Sequence, residues 1–186
     1  MDIVERVLEF WFLPPDDGGE EPHRESWFMP DPELDRETER LFAEDVRKAV
    51  GGGYDGLADT ALGSLVLVIL LDQFPRNLYR GSAEAFASDA NALGISKRAI
   101  ELGFDRGLGQ WRRMFLYLPF EHSEDLADQA RSMELFRDLG NENTLSYAQA
   151  HYDIIARFGR FPHRNAVLGR KDTLEEEEFL KEFSGF

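Results

Sequence analysis

The stretch that most constrains this fold runs from Ala61 to Leu71, where only Gly63 and Ser64 are not apolar. A helix that is apolar on every side must be covered on every side. The pattern therefore predicts a central helix over about Leu57 to Leu71, with the other elements packed around it. Its uninterrupted apolar core, Leu65 to Leu71, is far short of a membrane span. Pro75 is expected to break the chain after it.

The rest of the sequence resolves into further helices, since no stretch shows sustained period-two alternation bounded by hairpin turns. Asp2 to Phe12 places Ile3, Val4, Val7, Leu8, Phe10 and Trp11 on one face. Leu13-Pro14-Pro15 stops it, and the polar stretch Asp16 to Arg24 reads as a loop. Trp27, Phe28 and Met29 are expected to tuck an arm onto the body. A second helix, capped by Asp31 or Asp35, runs to about Val50 and ends at Gly51-Gly52-Gly53. A fourth spans about Ala83 to Gly103, with a break expected at Gly94. A fifth spans about Gln110 to Leu118, where Pro119 ends it. Ser123 reads as the N-cap of a sixth, running to about Leu139. Asn143 to Phe158 and Thr173 to Phe183 complete about eight helices. Short connections predict antiparallel packing of neighbours, and no low-complexity linker divides residues 1–186, so one all-α domain is expected.

Charge and composition narrow the function classes. The chain carries 21 Lys and Arg against 36 Asp and Glu, a net charge of -15. Such a surface repels phosphate backbones and anionic membranes, so neither nucleic acid nor membrane is an expected partner. With no Cys, disulfides, thiolate nucleophiles and Cys-based zinc sites are excluded. Asp2 and Glu5 stand where a signal peptide has a basic stretch and a long apolar run, so a cytoplasmic location is expected. There is no phosphate-binding Gly-rich loop, no GxSxG elbow and no HExxH. No metal site or cofactor is predicted.

Two segments stand out against this acidic background. Asp72-Gln73-Phe74-Pro75-Arg76-Asn77-Leu78-Tyr79-Arg80 and Arg157-Phe158-Gly159-Arg160-Phe161-Pro162-His163-Arg164-Asn165 both contain Phe-Pro followed by Arg-Asn, the second with a His inserted. Each follows an apolar helix. Ala156 to Lys171 holds five cations and no acid, and Gln73 to Ala83 two arginines and no acid. Fixed arginines on turns suit planar, bidentate capture of carboxylate or phosphate. Asp72, read at a helix C-terminus, needs a cationic partner, with Arg76 or an arginine of the second segment the natural choice. A third constellation, Pro119-Phe120-Glu121-His122-Ser123, offers Glu121 and His122 as an acid–base pair, with His151 on the seventh helix.

These segments, Leu71 to Asn77, Tyr117 to Glu124 and Arg157 to Asn165, resemble the mainly bacterial family catalogued as domain of unknown function 924. The resemblance runs from the first helix to Glu178-Phe179-Leu180. It implies a compact tetratricopeptide-like, right-handed superhelix, an architecture no repeat in this sequence indicates, and it implies no reaction, substrate or cofactor.

Three function classes follow. The first is a helical scaffold with a polar pocket for a small anionic molecule or acidic peptide end. Arg76, Arg80, Arg157, Arg160 and Arg164 would wall it, with Gln73 and His163 beside them. Asn77 and Asn165 would orient the ligand, and Asp72 and Glu121 would hold the arginines. The second is a metal-independent hydrolase or lyase of an anionic metabolite, with Glu121 or His122 moving the proton and His151 or His163 assisting. The third is a protein-interaction module. Against each stands a plainer reading: arginines that cap carbonyls, a satisfied core His151, and Glu121-His122 as a helix lead-in. The first class requires Arg76 and Arg164 to meet in space.

Overall fold

In the computed structural model, which describes residues 1–14, 21–183 and 185, the central apolar segment is a helix wrapped by its neighbours. Eight helices follow one another among the described residues, with no strand. They are α1 (Ile3–Trp11), α2 (Pro32–Val50), α3 (Ala61–Leu78), α4 (Asp89–Glu101), α5 (Gln110–Glu121), α6 (Leu126–Leu139), α7 (Glu142–Phe158) and α8 (Leu174–Glu182). Helices α1, α2, α4 and α5 all pack on α3, which is why its sequence is apolar all round. The 18 residues of α3 have a mean hydropathy of 1.2, enough by length and composition to cross a membrane, and 72% of them are buried in the protein. Most of the loop predicted from Asp16 to Arg24 lies outside the described residues.

Side-chain caps set several helix starts, of which the Asp31 cap is the one expected from the sequence. Asp2 with Glu5 and Thr173 with Glu176 form capping boxes, and Asp31 accepts from the backbone of Glu33 and Leu34. Asp35, the alternative cap, instead binds Asn77 on α3 and Arg80 just beyond its end. Gly140 and Gly159 close α6 and α7 in the left-handed conformation, at φ 77° and 68°.

Three predicted boundaries are corrected. Helix α3 does not break at Pro75; it passes through a π turn, Ile69–Gln73, into Phe74–Leu78. Proline has no N–H to give the Leu71 carbonyl in α register, and the hydroxyl of Ser88 donates to that oxygen at 2.6 Å. Helix α5 likewise continues past Pro119 to Glu121. Every residue from Met114 to Glu121 is buried, so tertiary packing overrides the local preference. Helix α6 starts at Leu126, with Asp125 as its N-cap rather than Ser123. Glu124 is thereby left outside the helix. A fourth difference is smaller: α4 starts at Asp89, after a 3-10 turn at Ala83–Phe86, and runs unbroken through Gly94.

The core is rich in rings. Trp11 packs edge-on against Phe74 and Phe115, at 5.4 and 5.5 Å between centroids, and Phe42 meets Phe74 at 4.9 Å. Of the predicted arm only Trp27 is buried; its indole N–H donates to the Trp11 carbonyl, while Phe28 and Met29 stay exposed. A smaller cluster of Ile154, Ile155 and Phe161 joins the end of α7 to α8.

Candidate functional site

The π turn of α3 buries two polar residues, Asp72 and Gln73, against the C-terminal end of α5. The Asp72 carboxylate is sealed from solvent. One oxygen receives the Nδ1 of His122 at 2.7 Å and lies 3.3 Å from Nη1 of Arg76; the other receives Gln73 Nε2 at 2.5 Å. Burial works to raise its pKa. The charges of Arg76 and His122, with hydrogen bonds from His122 and Gln73, outweigh that and hold it below the ordinary carboxylate range. Since Nδ1 of His122 serves Asp72, its Nε2 is the ring's basic atom.

Arg76 projects from the next turn and grips Asp89, the first residue of α4, with both Nη atoms at 2.9 and 3.0 Å. It also donates to the Asp72 carbonyl. Arg164, from the turn between α7 and α8, arrives at the same place. Its Nη1 donates to the His122 carbonyl at 3.1 Å and lies 3.5 Å from Asp89 Oδ2. Its guanidinium is clamped between Phe86 and Phe161, 4.6 and 4.4 Å from the ring centroids. Phe86 also underlies Arg76 at 5.5 Å. The two Phe-Pro turns, 80-odd residues apart in sequence, thus share one carboxylate and one ring.

The cluster opens to solvent on one side. Side-chain exposure is 21% at Arg76, 18% at Asp89, 13% at His122 and 8% at Arg164. Two acids, Asp72 and Asp89, face two arginines. Arg164 is the poorly served member. Its Nε is buried with no hydrogen-bond partner, and burial, together with the charge of Arg76, pushes its pKa down to about 10.

Behind this lies a second, sealed pair. Glu121 is buried, with Oε1 3.2 Å from His151 Nδ1 and Oε2 without a partner. Burial first, then the charge of Asp72, pushes its pKa up to about 8. His151 Nδ1 donates to the Tyr147 carbonyl at 2.8 Å, and burial brings its pKa down to about 2.

The predicted residues therefore separate. Asp72, Gln73, Arg76, His122 and Arg164 come together, with Glu121 and His151 beneath them. Glu121 and His122 do not pair with each other, because consecutive residues at a helix end point apart; each has a different partner. Nor does Glu121 hold an arginine. Asn77 and Arg80 bind Asp35 of α2. Arg157 and Arg160 bind Glu175 and Glu176 of α8, and Asn165 donates to Asp172. His163 stacks on Phe183 at 5.2 Å between centroids; burial brings its pKa down to about 4. Asp89, Phe86 and Glu124 went unpredicted. Glu124 clamps Arg170 and accepts from the Phe161 backbone, fixing the second Phe-Pro turn. Only an acid or ring at the mouth of α4 hints at the first two.

Two surface cavities lie elsewhere. One of about 520 Å³ is lined by Leu62, Leu108, Trp111 and Arg112 among others. Another of about 720 Å³ includes Leu71 and Ala90, the chain neighbours of Asp72 and Asp89. Among the described residues no group of three or more His, Asp or Glu is arranged to hold a metal ion.

Residues 7–184 match the family described as "Bacterial protein of unknown function (DUF924)", and the chain belongs to that family. The solved structure of a protein of unknown function from Agrobacterium tumefaciens is similar to it, with 38% sequence identity and a TM-score of 0.87. The similarity covers 97% of this chain and 98% of that one. No curated protein matches.

Proposed function

We propose that this DUF924-family protein binds a small anionic ligand, or the acidic end of a peptide, between Arg76 and Arg164, with His122 beside it. The observation that carries the reading is the state of Arg164. A buried guanidinium normally has its donors satisfied by carboxylates. Arg164 has one carbonyl bond, one long contact to Asp89 and an unpaired Nε. Two rings nonetheless hold its plane in place. An anion docked on it would supply the missing acceptors. Asp72 and Gln73 position Arg76 and His122, whereas Arg80, Arg157, Arg160, Asn77 and Asn165 brace the surrounding helices.

Thermal-shift titration with small carboxylates and phosphates tests this. A ligand at a hundred times its dissociation constant stabilises by about 2.7 kcal/mol. Arg164→Lys should abolish the shift while far-UV circular dichroism stays unchanged. Silence across the panel, or an undiminished shift in Arg164→Lys, overturns the reading.

One observation favours a second reading, a hydrolase or lyase acting on the bound anion. Asp72 holds His122 through Nδ1 at 2.7 Å, which orients the ring and leaves Nε2 as the proton acceptor. Glu121 and His151 are sealed beneath and are assigned no proton transfer. His122→Gln should keep ligand binding and lose turnover; if no turnover is found on any bound ligand, the scaffold reading stands alone.

The architecture extends the proposal. Packing of α5 on α6 and of α6 on α7, across short connections, supports antiparallel pairs wound into a tetratricopeptide-like right-handed superhelix. Superposition of the helix axes on such repeats tests it. A protein-interaction module is the use that such a superhelix suggests, and an acidic peptide end is the partner that the two arginines would favour.

A further inference from the structure

Resting on that anion-binding reading, we infer that Asp89 is a built-in occupant of the ligand site, displaced by a small organic monocarboxylate. The geometry of Asp89 is that of a bound ligand. Both its oxygens lie in the fork of Arg76, the arrangement in which a free carboxylate binds arginine. Yet the side chain is fixed to the first residue of α4, and it reaches Arg76 without properly reaching Arg164, at 3.5 Å. A free carboxylate has no such tether and can sit between both guanidinium groups.

Several features make Asp89 the member that yields. Asp72 is sealed, whereas Asp89 has an edge on solvent, so it can turn outward. The two acids are also held unequally. Burial and the charge of Asp72 raise the Asp89 pKa against the pull of Arg76, while that of Asp72 is lowered. Ser88, the N-cap of α4, sends its hydroxyl to the Leu71 carbonyl and makes no cap bond. The positive end of this 13-residue helix is thus left to whatever anion occupies the site. The independent sign of a ligand is again Arg164, 93% buried with an unpaired Nε, its Nη1 lying 3.5 Å from the Asp89 carboxylate.

Charge fixes the ligand class. With Asp89 turned to water, the remaining group is Asp72, Arg76 and Arg164, one positive charge in excess. A monoanion neutralises it. A phosphate dianion leaves surplus negative charge beside the sealed Asp72, where repulsion is weakly screened. The shared ring of Phe86 under both guanidinium groups favours a flat, two-oxygen ligand lying in their plane.

Isothermal calorimetry with sodium propionate and with inorganic phosphate, on wild type, Asp89→Asn, Asp89→Ala and Arg164→Lys, tests the inference. An occupant present nine-tenths of the time weakens apparent affinity about tenfold. Asp89→Asn and Asp89→Ala should therefore bind propionate about tenfold more tightly than wild type, wild type should bind propionate more tightly than phosphate, and Arg164→Lys should bind neither. If propionate binds wild type through Arg164 but the Asp89 variants bind it no better, the built-in occupant is refuted and the anion site survives. Tighter binding of phosphate than of propionate by the wild type refutes the monocarboxylate class. If neither wild type nor the folded Asp89 variants bind any anion, the proposed function itself fails. Should the variants not fold, carboxyl carbon NMR of the wild-type protein decides. On adding propionate the Asp89 signal should move toward that of an exposed carboxylate while the Asp72 signal stays; an unmoved Asp89 signal with propionate bound overturns the exchange.

Discussion

Glu121 should make the protein less stable as pH rises through neutrality, and Glu121→Gln should remove that loss. In the folded chain burial and Asp72 push its pKa from 4.5 up to about 8. Between those values the native state holds a proton that the unfolded chain has released. Stability is then full below about pH 4.5 and falls as pH rises toward 8, by about 1.4 kcal/mol per pH unit. His151 complicates the lower half of this window. Its ordinary value of 6.5 is depressed by burial, so it adds an opposite slope below pH 6.5. From pH 6.5 to about 8 the Glu121 slope runs clear of it, and the accumulated loss is about 2 kcal/mol. Gln keeps the volume and cannot ionise, so any packing change it brings is a constant offset. Urea denaturation of both proteins from pH 6 to 8.5 should show the difference in unfolding free energy growing in favour of Gln by about 2 kcal/mol. Parallel curves would mean that Glu121 is ionised in the folded state, with a partner for Oε2, and would refute the account of this buried pair.

Three further outcomes follow from backbone accounting. Ser88→Ala leaves the Leu71 carbonyl without the side-chain donor it has above Pro75; the cost should be about 1–3 kcal/mol, read as a lower urea midpoint with unchanged slope. Gly63→Ala should cost about 3 kcal/mol, because a Cβ there would overlap the Leu57 carbonyl and sit 2.7 Å from Thr60 Oγ1; an unaltered thermal midpoint would contradict the close approach. Asp125→Ala should cost about 1 kcal/mol by uncapping α6, seen as a lowered melting temperature.

Local rules made much of the fold legible. The all-round apolar stretch marks α3, and Asp31, Thr173 and the glycines at 140 and 159 mark ends, because each acts within one turn of its own position. Pro75 and Pro119 misled for the converse reason: what carries the helices past them is distant in sequence, a hydroxyl on Ser88 and burial of the whole Met114 to Glu121 face. The candidate cluster divides in the same way. Its cationic turns are visible as charge islands, and Arg76 with Asp72 is visible from i,i+4 spacing. Which acid each remaining arginine finds depends on how helices stack, so Arg80, Arg157 and Arg160 were grouped with Arg164 although they brace α2 and α8. Asp89 was hidden because an acid in a first helical turn already has a sufficient local explanation in the helix dipole.

Several of the costs in this structure meet beside His122. The fold would be served by an unbroken α-helix at α3, by a hydrophobic residue at Asp72, and by an apolar pair at Glu121 and His151; buried ion pairs replaced by packed apolar side chains often lose nothing in stability. Instead a π turn, a sealed carboxylate, a glutamate with an unpaired oxygen and an arginine with an unpaired Nε all adjoin His122, within two turns of helix and the loops that meet them. Their meeting around one largely buried imidazole supports the proposal of a site here, since departures from local consistency concentrate where function needs them. The same reasoning separates Arg164 from Arg160. Arg160 is fully engaged by Glu176 and the Lys171 carbonyl and adds stability to α8. Arg164 is held by two rings, the His122 carbonyl and a long contact to Asp89, and its Nε is left without an acceptor, the feature on which the proposed anion site rests.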